Sequence, residues 1–235
     1  MPRVRMRHPP LRSAALAVAL TAVGATAAAA APATLATDAR CYAQGASLRM
    51  TAAGLTPDAP LTVTLDGQRL RYGDGSTPAA DAAGAFASSF AVPALAPGTT
   101  QQRHRLAVGD GTHRPRARFT VSRPPGAAFD PASGDPRTLR ARFEVWGFAL
   151  AAPGRAARMP VWLHWLSPAG KLRRSAPLGT TGGDCGTLAT APRRVFPFAP
   201  EPGRWLLVLD AHRTYRVHAS GPRAKIPVHV RPLSP

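Results

Sequence analysis

Hydrophobic and polar positions alternate along most of this chain with a period of two. Leu61, Val63 and Leu65 interleave with Thr62, Thr64 and Asp66, and Leu139, Ala141, Phe143 and Val145 with Arg140, Arg142 and Glu144. Period two gives a strand one buried face and one wetted face. Leu48 and Met50 mark an earlier strand, and Phe86 and Phe90 another within Gly84–Val92. Asp66-Gly67 supplies the two positive-φ positions that a tight hairpin needs. A second hairpin is predicted from Leu106–Val108 through Gly109-Asp110-Gly111 to Arg116–Val121. Met159–Leu166 reads as a strand ending in the turn Ser167-Pro168-Ala169-Gly170, and Trp205–Leu209, apolar on both faces, as a central strand. Ile226, Val228 and Val230 flank Pro227, which places that strand at a sheet edge. No segment keeps a convincing helical period. The chain is predicted to be all-β, two sandwiches in tandem at 34–122 and 138–235, joined by a Pro/Gly-rich linker at 123–137.

The 26 prolines and 21 glycines agree with short strands punctuated by turns. At the start, Arg3, Arg5, Arg7 and Arg12 precede an uncharged run from Ser13 to Ala33 that ends in small residues. A positive start, an apolar middle and an A-x-A end are the parts of a secretory signal peptide, expected at 1–33. The alternative is a retained membrane anchor, since about twenty apolar residues suffice to cross a bilayer. Either way the remainder is expected outside the cytosol, secreted or at the cell envelope.

Ala52-Ala53-Gly54-Leu55-Thr56-Pro57 ahead of Leu61–Leu65, and Ala80-Asp81-Ala82-Ala83-Gly84 ahead of a hydrophobic strand, carry a family resemblance. The stretch from Thr37 to Ser122 resembles the bacterial extracellular immunoglobulin-like modules of the IPT/TIG-like and neocarzinostatin-like types. That resemblance implies an immunoglobulin-like sandwich for the first module. Neocarzinostatin-like proteins carry two internal disulfides and an apolar chromophore cleft. With one cysteine in this module, that ligand role is not implied.

The formal charge of +18 is uneven: residues 34–122 carry 9 Arg against 6 Asp, and residues 123–235 carry 17 Lys+Arg against 6 Asp+Glu. A basic second module points to an anionic partner, an envelope polymer or membrane surface or else a protein, and export argues against nucleic acid. The opposing view is that arginine abundance reflects genome composition and solvation. Cys41 and Cys185 are the only cysteines. Outside the cytosol an even pair tends to oxidise, and the preferred reading is an intramolecular disulfide joining the modules, with an intermolecular bridge or two free thiols as alternatives.

All four tryptophans lie in the second module. Trp162 and His164 share the face opposite Leu163 and Trp165, which is either core packing or an aromatic binding surface. The candidate binding residues are Arg140, Arg142, Trp162, His164, Arg173 and Arg174. The glycine-rich run from Thr180 to Gly186 lacks the Lys-Ser/Thr of a phosphate loop and is read as a loop pinned by Cys185. No histidine pair has metal-ligand spacing, and neither a metal nor a cofactor is expected. The leading expectation is therefore a non-enzymatic binding protein. A ligand-free structural spacer is one alternative. The other is an extracellular hydrolase with a site among Asp184, Asp210, His164 and His212.

Overall fold

The computed structural model describes residues 32–71, 75–151 and 158–232, so the expected leader at 1–33 lies almost wholly outside the described residues. The first eight strands are β1 Thr34–Thr37, β2 Cys41–Ala43, β3 Ser47–Ala53, β4 Thr62–Leu65, β5 Gln68–Arg69, β6 Phe86–Ala91, β7 Gln101–Gly109 and β8 Arg116–Ser122. They form two sheets, β1-β3-β6 and β2-β8-β7-β4-β5, antiparallel except where β2 runs parallel to β8. Period-two alternation puts Leu48, Met50, Val63, Leu106, Val108, Phe119 and Val121 into the core between the sheets. Asp66 and Gly67 take φ of 51° and 87° and close the β4–β5 hairpin, a backbone that Gly adopts freely and Asp tolerates.

The second sandwich follows at once: β9 Gly126–Asp130, β10 Arg140–Trp146, a 3-10 turn Phe148–Ala151, β11 Pro160–Leu166, β12 Leu172–Thr180, β13 Leu188–Ala189, β14 Arg193–Arg194, β15 Gly203–Asp210 and β16 Arg223–Val230. One sheet gathers β9, β13 and β14 around β10, and the other has the order β12-β11-β15-β16. As expected, β15 is central and β16, with Pro227, is an edge. The core holds Phe143, Phe148, Val161, Leu163, Trp165, Phe196, Trp205, Leu207 and Leu209. Trp165 donates its indole N–H to the Val195 carbonyl at 2.7 Å and Trp205 to the Glu201 carbonyl at 2.8 Å. Both are core fillers with satisfied polar ends.

Both sandwiches share one topology. One sheet of each runs in the same order, β5-β4-β7-β8 in the first, where β2 is added beside β8, and β12-β11-β15-β16 in the second; the remaining strands form the facing sheet. This division, with A, B and E opposite C, F and G, is that of the immunoglobulin fold. The chain is an all-β protein of immunoglobulin-like sandwiches.

One expectation needs correction. The segment 123–137 is not simply a linker: Gly126–Asp130 is a strand, paired with β10 in the register Gly126↔Trp146 to Asp130↔Arg142. Its short run of small residues gains a partner only when β10 lies beside it, so its composition resembles that of a loop. The two cores sit in one compact unit spanning Pro32–Pro235. Cys41 and Cys185 form the expected disulfide across it, with Cα atoms 5.1 Å apart. The chain also approaches itself closely at Gly147 (φ 73°), where a Cβ would lie 2.6 Å from the Arg123 carbonyl oxygen. Any side chain there would wedge the end of β10 away from the segment leaving β8.

Candidate functional site

The six expected binding residues do not converge on one site. Arg140 and Arg142 lie on the outer face of β10, and Arg173 and Arg174 on β12, in the other sheet. Arg194 partly links them. It is the register partner of Arg140, and with Arg174 it lines a small hollow of about 190 Å³ over Trp165 and Leu163. Trp162 is half-buried, with the Arg213 guanidinium 5.9 Å from its ring centroid. His164 is fully buried, so it cannot meet a ligand at the surface as expected. The alternation did place it correctly, opposite Leu163 and Trp165. What hides it is the connection 211–222, which folds back over that face.

His164 organises this closure. Its Nε2 faces two acceptors, Asp210 Oδ1 at 3.2 Å and the His212 carbonyl at 3.1 Å, so the proton resides there. Its Nδ1 then accepts from the Ser175 hydroxyl at 2.7 Å. Asp210 Oδ1 also accepts the His212 amide at 2.8 Å, and Oδ2 accepts from Arg223 at 2.8 Å. Burial raises the Asp210 pKa, but the hydrogen bonds from His164, the His212 amide and Arg223 outweigh it and hold the carboxyl below its usual range. Arg223 further donates to the Val217 and Arg216 carbonyls, and Tyr215 lies 5.6 Å from the His164 ring.

Three of the four residues considered for a hydrolase thus do meet: His164, Asp210 and His212. Asp184 does not; it stands on the loop that holds Cys185 and shares no hydrogen bond or ion pair with them. The order Ser175–His164–Asp210 is that of a nucleophile, base and orienting acid. Here, however, the base and the acid are sealed from solvent, and Arg223 already compensates the acid's charge. What this arrangement does chemically is fasten the 211–222 connection to the sheet. Among the described residues, no group of three or more His, Cys, Asp or Glu could hold a metal ion. Among them, too, no helix is long and apolar enough to cross a membrane.

Sequence reasoning missed a more open feature, on the first sandwich. Arg103 and Arg105 from β7, Arg116 and Arg118 from β8, and Arg114 from the turn between them line a groove of about 560 Å³. Leu106, Val108, Phe119 and Val121 point into the core, so alternation sends the arginines to the outer face. Thr64 and Ala107, paired in register, line the groove too and are buried despite facing outward. Arg105 stands directly across the ladder from Arg118. Like charges in that position are destabilising.

Asp66 lines the groove and Asp110 sits in the β7–β8 turn, and both carboxylates are hydrogen-bonded mainly by backbone amides and histidines. Asp66 accepts the Arg105 amide on Oδ1 at 2.8 Å and meets His104 Nδ1 on Oδ2 at 2.6 Å. Burial works to raise its pKa, yet the Arg105 amide, His104 and the nearby Arg105 charge bring it below the usual range. Asp110 accepts the amides of Thr112 and His113 on Oδ1, and the Thr56 amide and the His113 ring on Oδ2. The His113 and Thr56 amides lead in pulling its pKa far down. Among the described residues, no carboxylate pairs with the five groove guanidiniums. The signal that would have revealed them is arginine at every second position on both sides of the Gly109–Gly111 turn.

No family model matches this chain, and no curated protein matches it. Solved structures give distant likenesses. Two titin immunoglobulin domains in tandem align over 86% of this chain and 98% of theirs, at 11% identity and a TM-score of 0.35. Bovine butyrophilin aligns over 86% and 100%, at 10% identity and a TM-score of 0.31. A Salmonella α-2-macroglobulin aligns over 87% of this chain at 12% identity and a TM-score of 0.29; the match spans 15% of that protein's length. What makes the fold immunoglobulin-like is its strand order.

Proposed function

We propose that this is an exported, non-enzymatic binding protein that holds an anionic polymer of the cell envelope on exposed arginines. The resemblance of the first sandwich to bacterial extracellular modules, the leader expected at 1–33 and the Cys41–Cys185 disulfide all support an address outside the cytosol. One observation carries the binding: among the described residues, the only arginine paired with a carboxylate is Arg223, to Asp210. Most of the other described guanidiniums lie exposed without an ion-pair partner, among them Arg140, Arg173 and Arg174 on the second sandwich. A surface of this kind attracts polyanions over a range set by salt.

The test is retention of the purified protein on isolated cell wall as ionic strength is raised. Salt-sensitive retention, weakened by reversing arginine charge, supports the reading, and retention indifferent to salt would sink it. A spacer role is the second reading, supported by the disulfide that ties the two sandwiches together. Failure to be retained on any anionic support would favour the spacer.

A further inference from the structure

We infer that the arginine groove on β7 and β8 is a binding site for a linear chain bearing tetrahedral oxyanions, phosphate or sulfate esters, and that it engages at least two of them at once. This inference rests on the polyanion reading above, and it names the surface and the ligand chemistry. Residues two apart on a strand lie about 7 Å from each other, and neighbouring strands about 4.8 Å. Arg116 and Arg118 on β8 therefore stand about 7 Å apart, Arg103 and Arg105 on β7 form a second row beside them, and Arg114 extends the array from the turn. One anion can touch two or three guanidiniums of such an array, so filling it takes a chain.

The chemistry of the forks narrows the ligand. A guanidinium donates two parallel N–H groups, and Arg105 and Arg118 approach the same space from adjacent strands. A carboxylate offers its oxygens in one plane, so forks reach it best within that plane. The diverging oxygens of a phosphate or sulfate can accept forks from two directions. Asp66 closes one corner of the groove with both oxygens already engaged, so it repels a passing anion and directs the chain along the strands.

The experiment measures binding of the full secreted chain to four probes: linear polyphosphate, heparin oligosaccharide, poly-L-glutamate and inorganic phosphate. It compares the wild type, Arg105→Glu/Arg118→Glu, and a second-sandwich variant with Arg140, Arg142, Arg173 and Arg174 reversed. Expected is saturable binding of polyphosphate or heparin, whichever binds tighter identifying the ester. Binding should fall about tenfold or more in the groove variant and clearly less in the other, whose reversed arginines supply only general attraction. The slope of log affinity against log salt should drop by about two, one for each cation removed. Arg105→Gln/Arg118→Gln, with thermal unfolding as the control for folding, should give an intermediate loss.

Equal affinity for poly-L-glutamate would overturn the oxyanion assignment, and equal affinity for inorganic phosphate would overturn the chain. Polyanion binding lost only in the second-sandwich variant would remove the groove while leaving the proposed function standing. If none of the polymers binds, both fail.

Discussion

The β8-β7-β4 face of the first sandwich and the β16-β15-β11 face of the second occupy the same place in one topology and are finished in opposite ways. On the first, charge is left open to water: five arginines line a groove, and the nearby carboxylates are held by backbone amides and histidines. On the second, charge is drawn inward. Asp210 is paired with Arg223, His164 lies between Ser175 and Asp210, and the 211–222 connection covers them. The length of the connection between the last two strands accounts for the difference. A tight turn leaves the first face bare, whereas the second loop is long enough to fold back and needs buried polar partners to remain there. Identical strand order thus yields one surface suited to recognition and one suited to holding its own chain.

Uncoupling the two sandwiches should have the largest effect. Cys41→Ser/Cys185→Ser removes a crosslink with a sequence separation of 144. In the chain-entropy model that lowers unfolding free energy by up to about 5 kcal/mol. Denaturant titration should then resolve two transitions, one for each core, and a single unshifted transition would show that the halves hold each other without the bond. Next comes the covered face. Asp210→Ala leaves the buried His164 and the partly buried Arg223 without their partner, at a cost of up to about 3–5 kcal/mol. Urea unfolding provides the measurement, and a loss below about 1 kcal/mol would mean the network is ornamental.

The same carboxylate sharpens the contrast through pH. With its folded pKa below the ordinary 3.8, Asp210 contributes stability that is present above that value and lost as the pH falls through the folded one. The wild type should therefore lose stability more steeply below pH 3.8 than Asp210→Asn does. Parallel acid-unfolding curves would contradict this. The smallest effect belongs to the open face: Arg118→Glu exchanges a like-charged cross-strand pair with Arg105 for an opposite one. It should raise stability by about 0.2–1 kcal/mol, while binding falls. A destabilised Arg118→Glu would mean that the arginines there support the sheet instead of straining it.

Much of the fold was legible because alternation is a local property. Leu61–Leu65, the Asp66-Gly67 turn, the central Trp205–Leu209 strand and the edge strand with Pro227 were each written in a few consecutive residues. The strand Gly126–Asp130 was not, since its identity depends on β10 more than on its own side chains. Sites were harder to read for a related reason. His164 and Asp210 are 46 positions apart and meet only because β11 pairs with β15. Charge totals drew attention to the second module, but totals ignore facing. Fewer arginines, all pointing one way across one hairpin, make the more concentrated surface.

The Cys41–Cys185 bond closes a covalent ring around most of both sandwiches. A protease that nicked any exposed loop between those residues would not release a fragment. The cut protein would migrate as one species on a non-reducing gel and separate into two only after reductant was added, so damage of this kind would stay hidden in an oxidising exterior.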